Sequence, residues 1–308
     1  MGRYIARRLI AAIPVLMGVI LVVFILSTLV PGDPARILSG QRGDPETIER
    51  IRHEMGLDLP WYIQMVRFYK DALTFNLGRS YRNNMKVTQA VISRIPASAE
   101  LAGAAMLIAI PLGMILGIIS AVKQYSLWDY ASMILALLGV STPVFFAGLL
   151  MIVIFCVLLG WLPGTGYGDG SLTYLILPAI TLGIRPAALI ARITRSSMLE
   201  VIRQDYIRTA RSKGVHERSV VFRHALRNAM IPVVTVIGVD VPSLLSGAIL
   251  TETIFCWPGI GRLAYEAVIN RDFPIQRGVV LFMALIFLAA TLIVDLSYGF
   301  FDPRIRYE

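Results

Sequence analysis

The stretch Arg192–Arg227 reads RITRSSMLEVIRQDYIRTARSKGVHERSVVFRHALR and carries nine Lys or Arg residues around Gly214. The chain turns apolar on either side. Ser171–Ile184 precedes the stretch and ends at Arg185 and Pro186, and Asn228–Val239 follows it and is interrupted by Asp240. Lys and Arg are costly to carry across hydrocarbon, so a basic loop between two apolar spans is expected on the cytoplasmic side of a membrane. Its length suits a docking platform.

Composition agrees with that reading. Of 308 residues, 56% are hydrophobic and 16% charged, and the mean hydropathy of +0.69 is that of an integral membrane protein. The formal charge of +9 follows from the positive-inside bias and does not call for nucleic acid. Cys156 and Cys256 are too few for a disulfide framework, and His53, His216 and His224 are too scattered for a metal site.

Measured against the roughly 20 residues a helix needs to cross hydrocarbon, the apolar runs predict six spans. They lie near Leu9–Val30, Leu101–Val122, Tyr130–Leu159, Leu172–Ile193, Ala229–Leu250 and Gly278–Phe300, with Gly160–Gly166 as the exit turn of the third. The first run is too long for the core of a cleaved signal peptide and reads as an uncleaved anchor. Cytoplasmic segments would hold about 15 Lys or Arg residues, among them Arg3, Arg7, Arg8, Lys123, Arg304 and Arg306, against three in the short outer loops, Arg262, Arg271 and Arg277. Both termini are therefore expected inside. Residues 1–30 read as N-terminus and first span, 31–96 as an extracytoplasmic helical segment, 97–300 as a membrane core, and 301–308 as a cytoplasmic tail.

Within the outer segment, Ile48, Ile51 and Met55 recur at helical spacing before Gly56, and Trp61, Met65, Phe68, Tyr69 and Leu73 do so after it. Short helices capping the first span are expected, with contact to a docking partner as the alternative. In the basic loop, Ser197–Lys213 predicts one helix with Leu199, Ile202, Tyr206 and Ala210 along one side. Gly214 permits a reversal and Glu217–Asn228 predicts a second helix. On the residues alone, the loop could equally be a topology signal.

Asp240 lies 12 residues past Asn228, about 18 Å along a helix and so near the midplane, where an ionisable group faces a cavity or a partner. It is a candidate for the translocation path, with an ion pair to Arg185 or a protonated, hydrogen-bonded acid as the alternatives. Asp295 reads as structural. Pro111, Pro143, Pro232 and Pro242 could bend or end spans. Catalytic groupings are missing: Lys70, Lys86, Lys123 and Lys213, the only lysines, lie in no Gly-Lys-Ser or Gly-Lys-Thr word that would cradle phosphates, and no zinc helix or nucleophile elbow occurs.

Seven words in register carry a family resemblance. They are Pro31-Gly-Asp-Pro34, Gly56-Leu-Asp58, Leu77-Gly78 with Ser80, Asp205-Tyr-Ile-Arg-Thr-Ala-Arg-Ser-Lys-Gly214, His224-Ala-Leu-Arg-Asn228, Glu252-Thr-Ile-Phe255 with Trp257-Pro-Gly259 and Gly261, and Asp302-Pro-Arg304. Together they resemble, from end to end, the permease subunits of bacterial peptide/nickel-type ABC importers, of the dipeptide permease B-like kind. Such permeases carry a cytoplasmic coupling loop patterned Glu-Ala-Ala, three residues, Gly, nine residues, Ile, one residue, Leu-Pro. The corresponding positions are Arg208, Thr209, Ala210, Gly214, His224, Leu226 and Arg227, of which Ala210, Gly214 and Leu226 match. The departures resemble the peptide-importer branch.

The resemblance implies an all-α membrane protein of six transmembrane helices of the type I ABC importer permease kind, in the bacterial plasma (inner) membrane. It implies a coupling loop at about 195–228, with Tyr206, Arg208, Thr209, Ala210, Arg211, Gly214, His224 and Leu226 meeting an ATPase subunit. Implied partners are a second homologous permease, two ATP-binding subunits that use ATP and Mg, an extracytoplasmic solute-binding protein and the lipid bilayer. The chain itself would hold no cofactor and catalyse no reaction. Di- or oligopeptides are the implied cargo, with glutathione or a nickel chelate as alternatives. A secondary transporter or a membrane-anchored structural protein would leave the loop pattern unexplained.

Overall fold

The computed structural model describes residues 2–29, 35–36 and 44–301. The words Pro31–Pro34 and Asp302–Arg304, with Arg304 and Arg306, lie outside the described residues. Within them the regular structure is helical, apart from one antiparallel bridge between Arg79 and Lys86. Five helical segments are long and apolar enough to cross a membrane: Ala6–Leu26, Val87–Val122, Leu172–Ile202, Glu217–Leu245 and Phe273–Leu296. A bent pair, Leu127–Ser141 with Val144–Leu158, makes a sixth if it counts as one span.

That bend corrects the third span. Residues Tyr130–Leu159 do not form one helix; the two halves meet at 107°. Pro143 lacks an N–H and drives the preceding residue away from helical angles, and Thr142 accordingly sits at φ −77°, ψ 123°. Pro111, Pro232 and Pro242 instead lie inside continuous helices. The fifth span also ends earlier than expected, at Leu245, because Ser246–Ala248 turn through Gly247 at φ +114° before a short helix, Ile249–Ile254.

We number the helices that matter below α1 (Gly2–Leu29), α2 (Pro45–Glu54), α3 (Trp61–Leu73), α4 (Val87–Ile92), α5 (Ile95–Val122), α6 (Leu127–Ser141), α7 (Val144–Met151), α8 (Leu172–Ile202), α9 (Asp205–Ser212), α10 (Glu217–Ser219), α11 (Leu226–Leu245), α12 (Ile249–Ile254), α13 (Ile260–Ile269) and α14 (Phe273–Phe301). The centre of the molecule is the pairing of α5 with α8. Lipid tails are as apolar as Leu, so helices in a membrane associate through close packing of small residues. Gly113 and Gly117 of α5 provide it. A Cβ on Gly113 would stand 2.5 Å from the Ala187 carbonyl oxygen, and one on Gly117 would stand 2.6 Å from that of Ala191. Gly183 returns the contact, where a Cβ would be 2.9 Å from the Ala105 carbonyl oxygen.

The two short helices expected between the first and second spans are present. Asp44 caps α2 by accepting from the Thr47 amide at 3.2 Å, and Gly56, at φ +65°, turns the chain after it. Helix α3 lies on α1: the Tyr69 hydroxyl donates to the Met17 carbonyl at 2.8 Å, Phe68 stacks on Phe24 at 6.0 Å between centroids, and Ala72 packs with Ile20 and Leu281. Ser80 and the Tyr81 amide donate to the buried Asp272 carboxylate, which ties this segment to the α13–α14 turn. At the other end of α1, Arg8 pairs with Asp295 of α14 at 3.0 Å. The ends of the first and last spans thus lie side by side, and Asp295 is structural.

The Glu252–Gly261 word folds around a carboxylate. Glu252 is 1% exposed and accepts from the Ser98 hydroxyl at 2.8 Å, the Arg262 amide at 3.0 Å and the Ala248 amide at 3.3 Å. Trp257, fully buried, donates its indole N–H to the Ala97 carbonyl at 2.7 Å. A buried carboxylate needs such donors to offset desolvation. The word therefore clamps α12 and α13 onto the start of α5.

Candidate coupling loop

Helix α8 carries the basic stretch away from the apolar core and then stops at Ile202. The single helix expected over Ser197–Lys213 is two, because Gln204 is extended, at φ −71° and ψ 149°, and starts α9 afresh. The break resets the helical register. Ile207, not Tyr206, is the fully buried residue of α9, and Tyr206 is 44% exposed. A first-turn acid, Asp205, just after Gln204 was the available sign of a new helix start. The second helix expected over Glu217–Asn228 is no separate element either: α10, a π-helical stretch Val220–Ala225 and α11 follow one another without a break.

Ile207 sits in a cluster with Met198, Val220, Val221, Ala225 and Ala229, closed by Ile118 and Ala121 from α5. Burying one such side chain contributes about 2 kcal/mol, and this cluster seats the short α9 against the helix ends. Ala210 and Leu226 pack on its edge and His224 is half-buried. Tyr206, Arg208, Thr209, Arg211 and Gly214 face outward. The Tyr206 hydroxyl accepts from the Asn228 side-chain amide at 2.7 Å, which links α9 to α11. Arg208 is 3.6 Å from Asp205 and leaves its side chain 73% exposed. Phe222, 55% exposed, and Arg218 and Arg223 extend the outward face beyond the expected residues.

Gly214 makes the reversal at φ +75°, with open space where a Cβ would be. Its constraint is conformational, since L side chains rarely adopt that angle. Across the turn Arg211 donates to both Glu217 oxygens, Nε at 3.1 Å and Nη2 at 2.7 Å. That bidentate bond holds the Arg211 guanidinium above its ordinary pKa.

A second ion pair fixes the base of the loop. Arg195 of α8 donates Nε to Asp129 Oδ1 at 2.8 Å and Nη2 to Asp129 Oδ2 at 3.0 Å. The Tyr125 amide donates to Oδ2 at 2.9 Å and the Ser120 hydroxyl to Oδ1, so one carboxylate joins the α5–α6 turn to α8. Asp129 is 2% exposed. The expected third span, near Tyr130–Leu159, begins just after it. An acid at a span's edge and an Arg in the next basic segment were the signal. Asp240 stands apart from this cluster on α11, half-buried, with Oδ2 lacking a hydrogen-bond partner among the described residues. Arg185 is exposed on α8, and the ion pair between them is not made among the described residues.

A basic helical hairpin, held off the end of a helical membrane core by apolar packing and two bidentate pairs, is thus present. The pattern of a family described as "Binding-protein-dependent transport system inner membrane component" matches residues 113–307. A companion pattern for the N-terminal part of such membrane components matches residues 1–102. The chain belongs to this family. The permease is similar to the dipeptide transport system permease protein DppB of Alkalihalophilus pseudofirmus, with 43% identity over 330 residues and 99% of each chain covered. It is similar also to the glutathione transport system permease protein GsiC of Escherichia coli O6:H1, at 42% over 308 residues and all of both chains. The dipeptide transport system permease protein DppB of Escherichia coli K12 matches at 40% over 338 residues, again covering all of both. The protein is therefore the membrane permease component of an ABC import system, not its ATPase.

Proposed function

We propose that the permease forms half of a translocation path for di- and oligopeptides, and that residues 195–228 transmit nucleotide-driven motion to it. Peptide-type cargo is supported by relatives named for dipeptide and glutathione transport, glutathione being itself a modified tripeptide. The coupling role rests on one observation above all. Ile207 anchors α9 in apolar packing while Tyr206, Arg208, Thr209 and Arg211 stay exposed beyond the membrane helices. A rigidly seated helix with a charged outer face suits insertion into a cleft of an ATP-binding subunit.

In the proposed assembly, a second homologous permease completes the path, two ATP-binding subunits use ATP and Mg on the cytoplasmic side, and an extracytoplasmic binding protein delivers cargo. The arrangement is that of a type I importer in the bacterial inner membrane, with both termini cytoplasmic and residues 31–96 outside as a cap on the core. ATP binding draws the two subunits together, the coupling loops turn the path outward-open, and hydrolysis resets it. Asp240, with a carboxylate oxygen free of hydrogen bonds among the described residues, faces that path and favours a cationic group such as a peptide ammonium.

Proteoliposomes holding the full importer should take up a labelled dipeptide only with ATP and the binding protein present. Asp240→Asn should slow uptake severalfold while leaving assembly unchanged. Uptake of labelled nickel chelate and not of any peptide would replace the cargo assignment and leave the coupling role standing.

A further inference from the structure

Arg277 of α14 makes no ion pair among the described residues. Its Nε is buried and lacks any hydrogen-bond acceptor among the described residues, and its guanidinium lies over the face of Phe68, at 5.4 Å from the ring centroid. Arg277 is half-buried, and a guanidinium whose Nε is shielded from water without an acceptor is unfavourable, so its surroundings indicate what completes it.

Two spaces meet at this residue. One is a cavity of about 350 Å³ on the side of the outer segment, with Phe68 and Leu77 in its lining beside Asp71, Asn76, Arg79 and Tyr81. Asp71 is the acid in that wall, and no ion pair between it and Arg277 is present among the described residues. The other is an apolar groove of about 440 Å³ between α1 and α14, lined by Val15, Gly18, Val19, Val22, Leu26 and Val280, with Gln276 and Arg277 at its polar end. Gly18 leaves open space where a side chain would stand. From Leu26 to Val15 the groove follows α1 for 11 residues, about 16 Å, close to one leaflet of a hydrocarbon core roughly 30 Å thick. Arg277 lies one turn into α14, at the depth where the headgroup of that leaflet would sit.

We infer that this groove binds one anionic phospholipid, its acyl chain along α1 and its phosphate on Arg277. The apolar slot and the guanidinium at its mouth are complementary to the two parts of such a molecule. Guanidinium–phosphate pairs are charge-assisted and bidentate, and this one would supply the acceptor that Arg277 lacks. The leaflet is the outer one under the orientation proposed above, but binding itself does not depend on that orientation.

The test is native mass spectrometry of the full importer, purified in mild detergent from membranes and reloaded from vesicles containing equal phosphatidylglycerol and phosphatidylethanolamine. Wild type should retain one phosphatidylglycerol in preference to phosphatidylethanolamine. Arg277→Met should lower that preference roughly tenfold, as expected for loss of one charge-assisted contact. Gly18→Leu, which fills the groove and keeps Arg277, should abolish retention of both lipids while the importer still assembles. Glycerol phosphate, which has the anion without the chain, should not compete. Equal retention of the two lipids by wild type, retention unchanged in Gly18→Leu, or displacement by glycerol phosphate would each overturn the assignment. So would crosslinks showing the partner permease seated in the groove.

Discussion

Arg211 and Glu217 clasp the polypeptide across Gly214, joined by two hydrogen bonds of 3.1 and 2.7 Å. Both side chains are substantially exposed, at 41% and 55%, so the pair should add under ~1 kcal/mol to stability. Its value lies in setting the angle between α9 and the helix that returns to the core. Arg211→Glu should therefore weaken ATPase association severalfold with little change in melting temperature. The exchanged double variant, Arg211→Glu with Glu217→Arg, should recover most of it. Pull-down of the ATP-binding subunits by each variant reads the effect; no recovery in the exchange would mean that Arg211 acts through a direct contact instead.

Gly214→Val tests the same hairpin through its backbone. A β-branched residue at φ +75° costs about 1–2 kcal/mol or more, although no neighbouring atom blocks the side chain. Membrane insertion and pairing with the second permease should survive, because the strain sits in the loop. Cargo-stimulated ATP hydrolysis by the assembled importer should fall. Wild-type hydrolysis would show that the hairpin angle is immaterial.

The Asp129–Arg195 pair predicts a different phenotype. Removing the buried carboxylate leaves the half-buried Arg195 guanidinium without its acceptor and costs about 1–3 kcal/mol. Asp129→Ala should thus lower the melting temperature of the detergent-solubilised permease and its yield in membranes. Exchanging an exposed neighbour, such as Lys213→Ala, should do neither. Equal melting curves would mean that the pair is dispensable to the base of the loop.

Gly117 carries the close approach of α5 to α8, where an added Cβ would lie 2.6 Å from both the Ala191 carbonyl oxygen and Thr194 Cβ. Gly117→Leu should destabilise the helix pair by about 1–3 kcal/mol. Protease resistance of the membrane-inserted chain is a direct readout, and undiminished resistance would contradict the packing.

Why some of this was legible in sequence and some was not follows from the physics of each element. Long uncharged runs report hydrocarbon crossings directly, so five of the six expected spans came through as single helices and the sixth as a bent pair. Among helix breaks inside those runs, Pro143 stood out as a possible bend, whereas Ser246–Ala248 change direction without adding charge and were not foreseen. In the loop, Gly214 announced its own turn, whereas the register of α9 depended on the extended Gln204, which carries no strong local signal, and so Ile207 was passed over for Tyr206. Asp129 and Arg195 are 66 positions apart, and a pairing across such a distance exists only once α6 and α8 have packed. Gly113 and Gly117, four apart on α5, form a small-residue packing motif that the sequence reading passed over.

Orientation can be checked by cysteine labelling after Cys256, which is exposed, has been replaced. A cysteine at Asn83 should react with a membrane-impermeant reagent in intact cells, and one at Ser212 should not; both positions are exposed on the chain itself. The reverse pattern would invert the assembly.

The measurement closest to the coupling role is site-specific photocrosslinking from the outer face of α9. With a photoreactive amino acid at Arg208 or Thr209, the assembled importer should crosslink to an ATP-binding subunit, and the yield should change between nucleotide-free and ATP-bound states. The same group at Ile207, buried in the apolar cluster, should not reach that subunit. A fully active importer whose Arg208 and Thr209 probes never reach an ATP-binding subunit in either state would contradict the coupling role and leave residues 195–228 as a signal for topology alone.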